Sequence, residues 1–161
     1  MKEVSGFFGK DILREVDEAK FMANIPNLRD VLGDRAVLRA LHFFEKNTRV
    51  SEQILALENN KFDDFLEMVK DSGNSSYKYL QNIYTTKDVH TQNLSVALAI
   101  SEKVLGSNGV CRVHGGGFAG TIQAFVKNEF VADYKKAIEK VFGTESCHVL
   151  KIRKYGGMKV I

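Results

Sequence analysis

Tryptophan is absent from the 161 residues, proline occurs once and cysteine twice. A single proline, Pro26, excludes proline-rich linkers and leaves the chain without a proline-punctuated loop. Cys111 and Cys147 share no CxxC spacing and have no companion histidines at ligand spacing. That argues against a cysteine-based zinc site, and two free thiols in a reducing cytoplasm are expected, with a structural disulfide as the alternative. No apolar run approaches the roughly 20 residues needed to cross a bilayer. The opening MKEVSGFFGKDILREV lacks the basic-then-apolar layout of a signal peptide. A cytoplasmic protein with no membrane partner is expected. Long runs of like charge are also missing: 23 basic and 20 acidic side chains give a net charge of +3. The balance argues against a nucleic-acid arm or a disordered tail, and only weakly favours an anionic partner.

What is present suits one compact domain, with 44% hydrophobic residues over a domain-sized length. Leu13 to Ile25 follows a helical pattern that Pro26 is expected to break. Asp34 is placed to cap a long helix from Arg35 to about Glu58, with Ala36, Ala40, Phe43, Val50, Ile54 and Leu57 on its apolar side. Arg35, Arg39, Lys46, Arg49 and Gln53 fall on another side, which reads as a solvated face, with anion binding as the alternative. Phe62, Phe65, Leu66 and Val69 predict a helix to about Lys70, broken near Gly73, and Tyr77, Leu80 and Tyr84 fit a short helix. A further helix spans about Val89 to Leu105, with Leu94, Leu98, Val104 and Leu105 inward and Gly106 as its stop.

Beyond Gly106 the texture changes. Gly109–His114 and Thr121–Lys127 read as strands, followed by a helix from Glu129 to Phe142 closed by Gly143. Cys147–Ile152 predicts another strand, and a turn at Gly156-Gly157 leads to a last one ending at Ile161. The order implies an α+β domain, a helical layer on a mainly antiparallel four-stranded sheet. The helical part covers about residues 10–106 and the sheet-rich part about 107–161.

The densest signal is Arg112-Val113-His114-Gly115-Gly116-Gly117-Phe118-Ala119-Gly120-Thr121. Four glycines in six residues weaken regular structure, so they point to a backbone that approaches something closely. Backbone N–H groups in such loops commonly face an anion. A two-residue hairpin turn needs only one or two glycines. Gly115, Gly117 and Gly120 match GxGxxG, but the match leads into a strand and not into the helix a dinucleotide fingerprint requires. No HRD or DFG follows, and no Gly-Lys-Ser/Thr ends the loop, so protein-kinase and Walker A readings fail.

The loop resembles the third signature of the GHMP kinases in its galactokinase form, Arg-Met-Thr-Gly-Gly-Gly-Phe-Gly-Gly before a strand. Arg35-Ala36 through His42 to Glu45-Lys46-Asn47-Thr48-Arg49-Val50 is similar to that family's Arg-Ala…His…Glu-Asn-x-Arg-Val helix. Phe65-Leu66-Glu67-Met68-Val69 through Ser75-Ser76 resembles the helix and serine stretch that follow. The resemblance covers essentially all 161 residues. It implies the ferredoxin-like C-terminal domain of an ATP- and Mg2+-dependent sugar 1-kinase acting on galactose.

By that resemblance Gly115, Gly116, Gly117, Phe118, Ala119 and Gly120 line the active-site cleft near the nucleotide phosphates, with Arg112 and His114 as further candidates. Phosphoryl transfer depends mainly on positioning and charge neutralisation, which suits a backbone loop. The family's catalytic aspartate, its sugar motif and its serine-rich phosphate loop belong to an N-terminal half, and none of them is found here. No catalytic residue and no metal ligand is therefore expected in this chain. The resemblance implies that the chain alone is inactive, that its partner is the absent N-terminal kinase domain, and that an exposed apolar face promotes self-association. His114 and Ala119 depart from the family's Thr or Ser and Gly, and its Arg-Asp-Asp-Tyr-Glu-Val-Ser stretch has no close copy between Tyr77 and Leu94. A catalytically silent sugar and nucleotide sensor, or a stand-alone interaction module, are the alternatives.

Overall fold

The computed structural model describes residues 1–117 and 120–152. Phe118, Ala119 and the expected final turn and strand over 153–161 lie outside the described residues. Among those described, seven α-helices and one antiparallel pair of strands make an α+β fold.

The N-terminal third is broken more finely than its pattern predicts. After α1 (Lys2–Phe7), residues 13–25 form no continuous helix. Leu13–Glu15 is a 3-10 turn, Val16 is extended, and Asp17 restarts the chain as α2 (Glu18–Ala23) by accepting the Lys20 N–H at 2.9 Å. Pro26 does not end a helix. It lies in the first turn of α3 (Ile25–Leu32), where its missing N–H has no partner to lose.

Gly33, at φ +81°, turns the chain into α4 (Asp34–Glu58). Asp34 makes no cap bond; it lies in the first turn with its carboxylate against Arg29. Val37, Ala40 and Phe44 join Val4, Leu13, Val16, Phe21 and Leu28 in the first core, with Phe21 and Phe44 rings 5.1 Å apart. The buried stripe is rotated about one residue from the expected one. Ala36 and Phe43 are only partly buried, while Val50, Ile54 and Leu57 are exposed. The helix outruns this core, and past Arg49 only Ala56 is buried.

Helix α5 (Phe62–Ser75) runs straight through Gly73. A Cβ there would stand 2.9 Å from Arg112 Cβ, so this glycine allows the close approach of helix and strand and is not a break. A π-helical turn, Ser76–Leu80, follows and ends at Gln81, a non-glycine residue at φ +54°. Helix α6 (Asn93–Leu105) starts later than expected. Gln92 Nε2 bonds the carbonyls of Thr85 and Asp88 at 2.7 and 2.8 Å and holds residues 85–92 as a loop.

Strands β1 (Gly109–Val113) and β2 (Ile122–Val126) pair with Gly109 opposite Val126 and Val113 opposite Ile122. Period-two alternation separates two faces. Cys111, Ala124 and Val126 pack with Leu105, Tyr134 and Ile138, beneath α6 and α7 (Val131–Phe142). Phe125 meets Phe65 of α5 edge-on, ring centres 5.9 Å apart, on the other face. The strands are thus sandwiched between helices, not backed by one layer.

The four-stranded sheet expected is two-stranded among the described residues. Cys147–Ile152 joins no ladder, and Leu150 and Ile152 stand 85% and 90% exposed with no neighbouring strand to cover them.

Candidate functional site

The glycine loop joins the two strands at the Val113 end. His114 N–H donates to Thr121 carbonyl at 3.0 Å and closes its base. Gly115 and Gly117 hold φ of +61° and +88°, conformations that side chains resist. Gly115 and Gly116 are exposed, and no atom lies near where a Gly115 Cβ would point. Gly117 is buried, with Asn82 carbonyl oxygen 3.1 Å from its would-be Cβ. Among the described residues the N–H groups of Gly115, Gly116 and Gly117 donate no hydrogen bond. Gly120 is exposed at φ +73°; Phe118 and Ala119 lie outside the described residues.

Asn82 ties this loop to α4. Its Oδ1 accepts from Arg35 Nη2 at 3.3 Å and from Arg39 Nη2 at 3.4 Å. Two guanidinium groups thereby converge on one neutral oxygen. The basic side of α4, which pattern alone reads as a solvated face, begins at the flank of the loop. Asn82 was not singled out by sequence reasoning. It lies in a stretch whose spacing predicts an ordinary short helix, and the π-helical turn and the left-handed Gln81 precede it instead.

Further along the same helix lies a polar network. His42, buried, meets Ser75 Oγ through Nδ1 at 2.9 Å, and Ser75 Oγ donates to Glu45 at 3.3 Å. With the Ser75 proton directed at Glu45, the His42 Nδ1 carries its own proton. Burial lowers the His42 pKa, reinforced by the charges of Lys46, Arg49 and Arg112 against the opposing pull of Glu45. Arg49 Nη2 pairs with Glu45 at 3.4 Å, while its buried Nη1 has no partner among the described residues. Burial, then the Glu45 charge, raises the Tyr79 pKa.

Arg112 points to the α5 side of the strands. Its Nη1 bonds Ser72 Oγ, its Nε bonds the Val113 carbonyl at 3.1 Å, and burial lowers its pKa. The guanidinium is held inside the fold below the loop. His114 is exposed at the loop's edge.

Among the described residues no three His, Cys, Asp or Glu side chains converge on a metal-sized site, and no helix is long and apolar enough to cross a membrane. Both cysteines are free, and burial pushes the Cys111 thiol up to about 11. The larger cavity, about 550 Å3, sits at the opposite end of β1 between Phe62, Leu66, Leu105, Gly109 and Phe125.

No protein-family model matches the chain. It is similar to curated galactokinases from Glaesserella parasuis serovar 5, Haemophilus influenzae and Clostridium acetobutylicum. Identities are 29%, 27% and 29%, over 82%, 85% and 86% of the chain. The chain spans about a third of the length of these relatives, 32%, 34% and 33% respectively.

Proposed function

We propose that the chain is the C-terminal domain of a galactokinase, which transfers a phosphoryl group from ATP to galactose, and that residues 1–161 form this one domain. The observation that carries the reading is the loop between two strands, with Gly115 and Gly117 held at positive φ, in a chain similar to galactokinases over most of its length. Gly115, Gly116, Gly117, Phe118, Ala119 and Gly120 form one wall of the cleft, with His114 at its rim. Arg112 supports the wall from below, since its donors are engaged by Ser72 and Val113. In the complete protein the residues from Cys147 onward extend β1 and β2 into the four-stranded, ferredoxin-like sheet of the GHMP kinases.

The open space over Gly115 and the unpartnered N–H groups beside it fit an anionic ligand such as the ATP phosphates. ATP supplies the transferred group. The chain's own part is to present backbone donors and to exclude water on one side. Among the described residues no group of three His, Cys, Asp or Glu side chains could hold a metal ion here. With one wall and no base, the isolated chain is inactive, and the N-terminal kinase domain is its partner.

The test is galactose-dependent ADP release by this chain and by a longer product carrying the N-terminal half. Turnover by the longer protein with silence from the chain is expected. Turnover by the chain alone would overturn the division of labour. ATP binding without turnover across a hexose panel would move the reading to a sensor.

A further inference from the structure

We propose that Arg35 and Arg39, gathered on Asn82 at the flank of the glycine loop, are an anion-binding pair that takes a phosphoryl-bearing ligand lying over Gly115–Gly117. The assignment rests on the reading of the loop as a phosphate-facing wall and adds to it the two side chains that hold the anion.

Two like charges converge on a single neutral acceptor, at 3.3 and 3.4 Å from Asn82 Oδ1. Neither guanidinium forms an ion pair with any of the described residues. The carboxylate adjacent in sequence, Asp34, is engaged by Arg29. The other two arginines of the region have protein partners of other kinds: Arg49 pairs with Glu45 through Nη2, and Arg112 bonds Ser72 and the Val113 carbonyl. A pair of uncompensated guanidiniums repels itself unless negative charge arrives between or beside its members. Each carries several N–H donors in a planar fork that matches phosphoryl oxygens, and one amide oxygen occupies only one donor from each.

The loop and the pair share an anchor. Asn82 receives both arginines through its side chain and packs its carbonyl against Gly117. Its position depends on two departures from regular backbone, the π-helical turn over Ser76–Leu80 and Gln81 at φ +54°. Such geometry costs free energy and persists where the surroundings demand it. Gly115 and Gly116 are exposed and their N–H groups lack partners among the described residues, while buried Gly117 packs on the residue that receives both arginines, so Asn82 links the exposed backbone donors to the two cations.

The test titrates the full chain with sodium pyrophosphate at constant ionic strength and follows backbone amide resonances. The amides of Gly115–Gly117 and the Asn82 side-chain amide are expected to shift together and saturably. Arg39→Gln and Arg35→Gln are each expected to weaken binding about tenfold, the size of one charge-assisted hydrogen bond. Arg29→Gln, which removes an exposed arginine already paired with Asp34, serves as the control and leaves binding unchanged. Asn82→Asp places a carboxylate between the arginines and abolishes binding without removing them, which keeps the test valid if an arginine variant misfolds. Unchanged affinity in the Arg35→Gln/Arg39→Gln double variant, or shifts scattered over surface lysines, would overturn the proposal. So would shifts of equal size with chloride alone. Pyrophosphate binding that depends on the pair, beside a longer protein inert toward galactose, would sink the sugar-kinase reading and leave this site standing. Galactose turnover with no arginine-dependent binding would do the reverse.

Discussion

His42 shows how a single buried side chain sets a pH dependence. It bonds Ser75, and burial with three nearby cations holds its native pKa below the ordinary 6.5. The unfolded chain takes up a proton near pH 6.5, which the folded chain resists. Stability is therefore full above that pH and falls as pH drops below it, down to the native pKa. Urea unfolding at pH 7.5, 6.5 and 5.5 is expected to show a falling midpoint, and His42→Gln is expected to flatten that fall while costing about 1 kcal/mol at pH 7.5. An identical pH slope in the variant would assign the effect elsewhere. The glycines were legible at this scale only by number. Four in six residues announce a special backbone, yet Gly73 reads as a helix stop when its role is to let Arg112 pass at contact distance. Local sequence carries no trace of a strand that arrives from 39 positions further along the chain.

Among the elements, α4 is both the best and the worst anticipated. Its span was readable from its periodicity to within a residue, Asp34–Glu58 against an expected Arg35 to about Glu58, although Asp34 does not cap it. Its buried side was readable only in part: Ala40 is buried as expected, but Ala36 and Phe43 yield to Val37 and Phe44, and packing against Phe21 decides between them. The exposed half carries Val50, Ile54, Leu55 and Leu57 at 45–57% exposure, an apolar strip on one helix. Self-association of the chain at high concentration is expected, visible as a concentration-dependent sedimentation coefficient. The Ile54→Glu/Leu57→Glu variant is expected to sediment as a monomer throughout. A wild-type chain that stays monomeric at every concentration would remove the strip as a contact surface. The π-helical turn could not be foreseen, since Tyr77, Leu80 and Tyr84 satisfy an ordinary helical spacing equally well.

At the scale of the whole molecule, two hydrophobic clusters hold the described residues. One surrounds Phe21 and Leu28 among the N-terminal helices, the other Leu105 and Cys111 around the strands. Helix α5 touches both α4 and β1 and couples them. Phe21, fully buried, is expected to cost about 3–5 kcal/mol when cut to Ala. If the coupling is strong, amide exchange at Val113 accelerates together with exchange at Ala40, although Val113 lies in the sheet. Wild-type protection at Val113 in Phe21→Ala would mean that the two clusters open independently.

The sequence by itself determined the α+β class, the two strands flanking a glycine loop, and the helices closed by Gly106 and Gly143, because those features depend on local propensity and short periodicities. Free thiols are the favoured reading of two cysteines without CxxC spacing, and the structure holds both free. Tertiary structure alone decided that Arg35 and Arg39 meet Asn82, 47 and 43 positions away, beside Gly117. It also decided that helices cover both faces of the strand pair and that, among the described residues, Cys147–Ile152 joins no ladder with it. Such juxtapositions arise from how elements pack, and packing energies are summed over distant residues that no local pattern records.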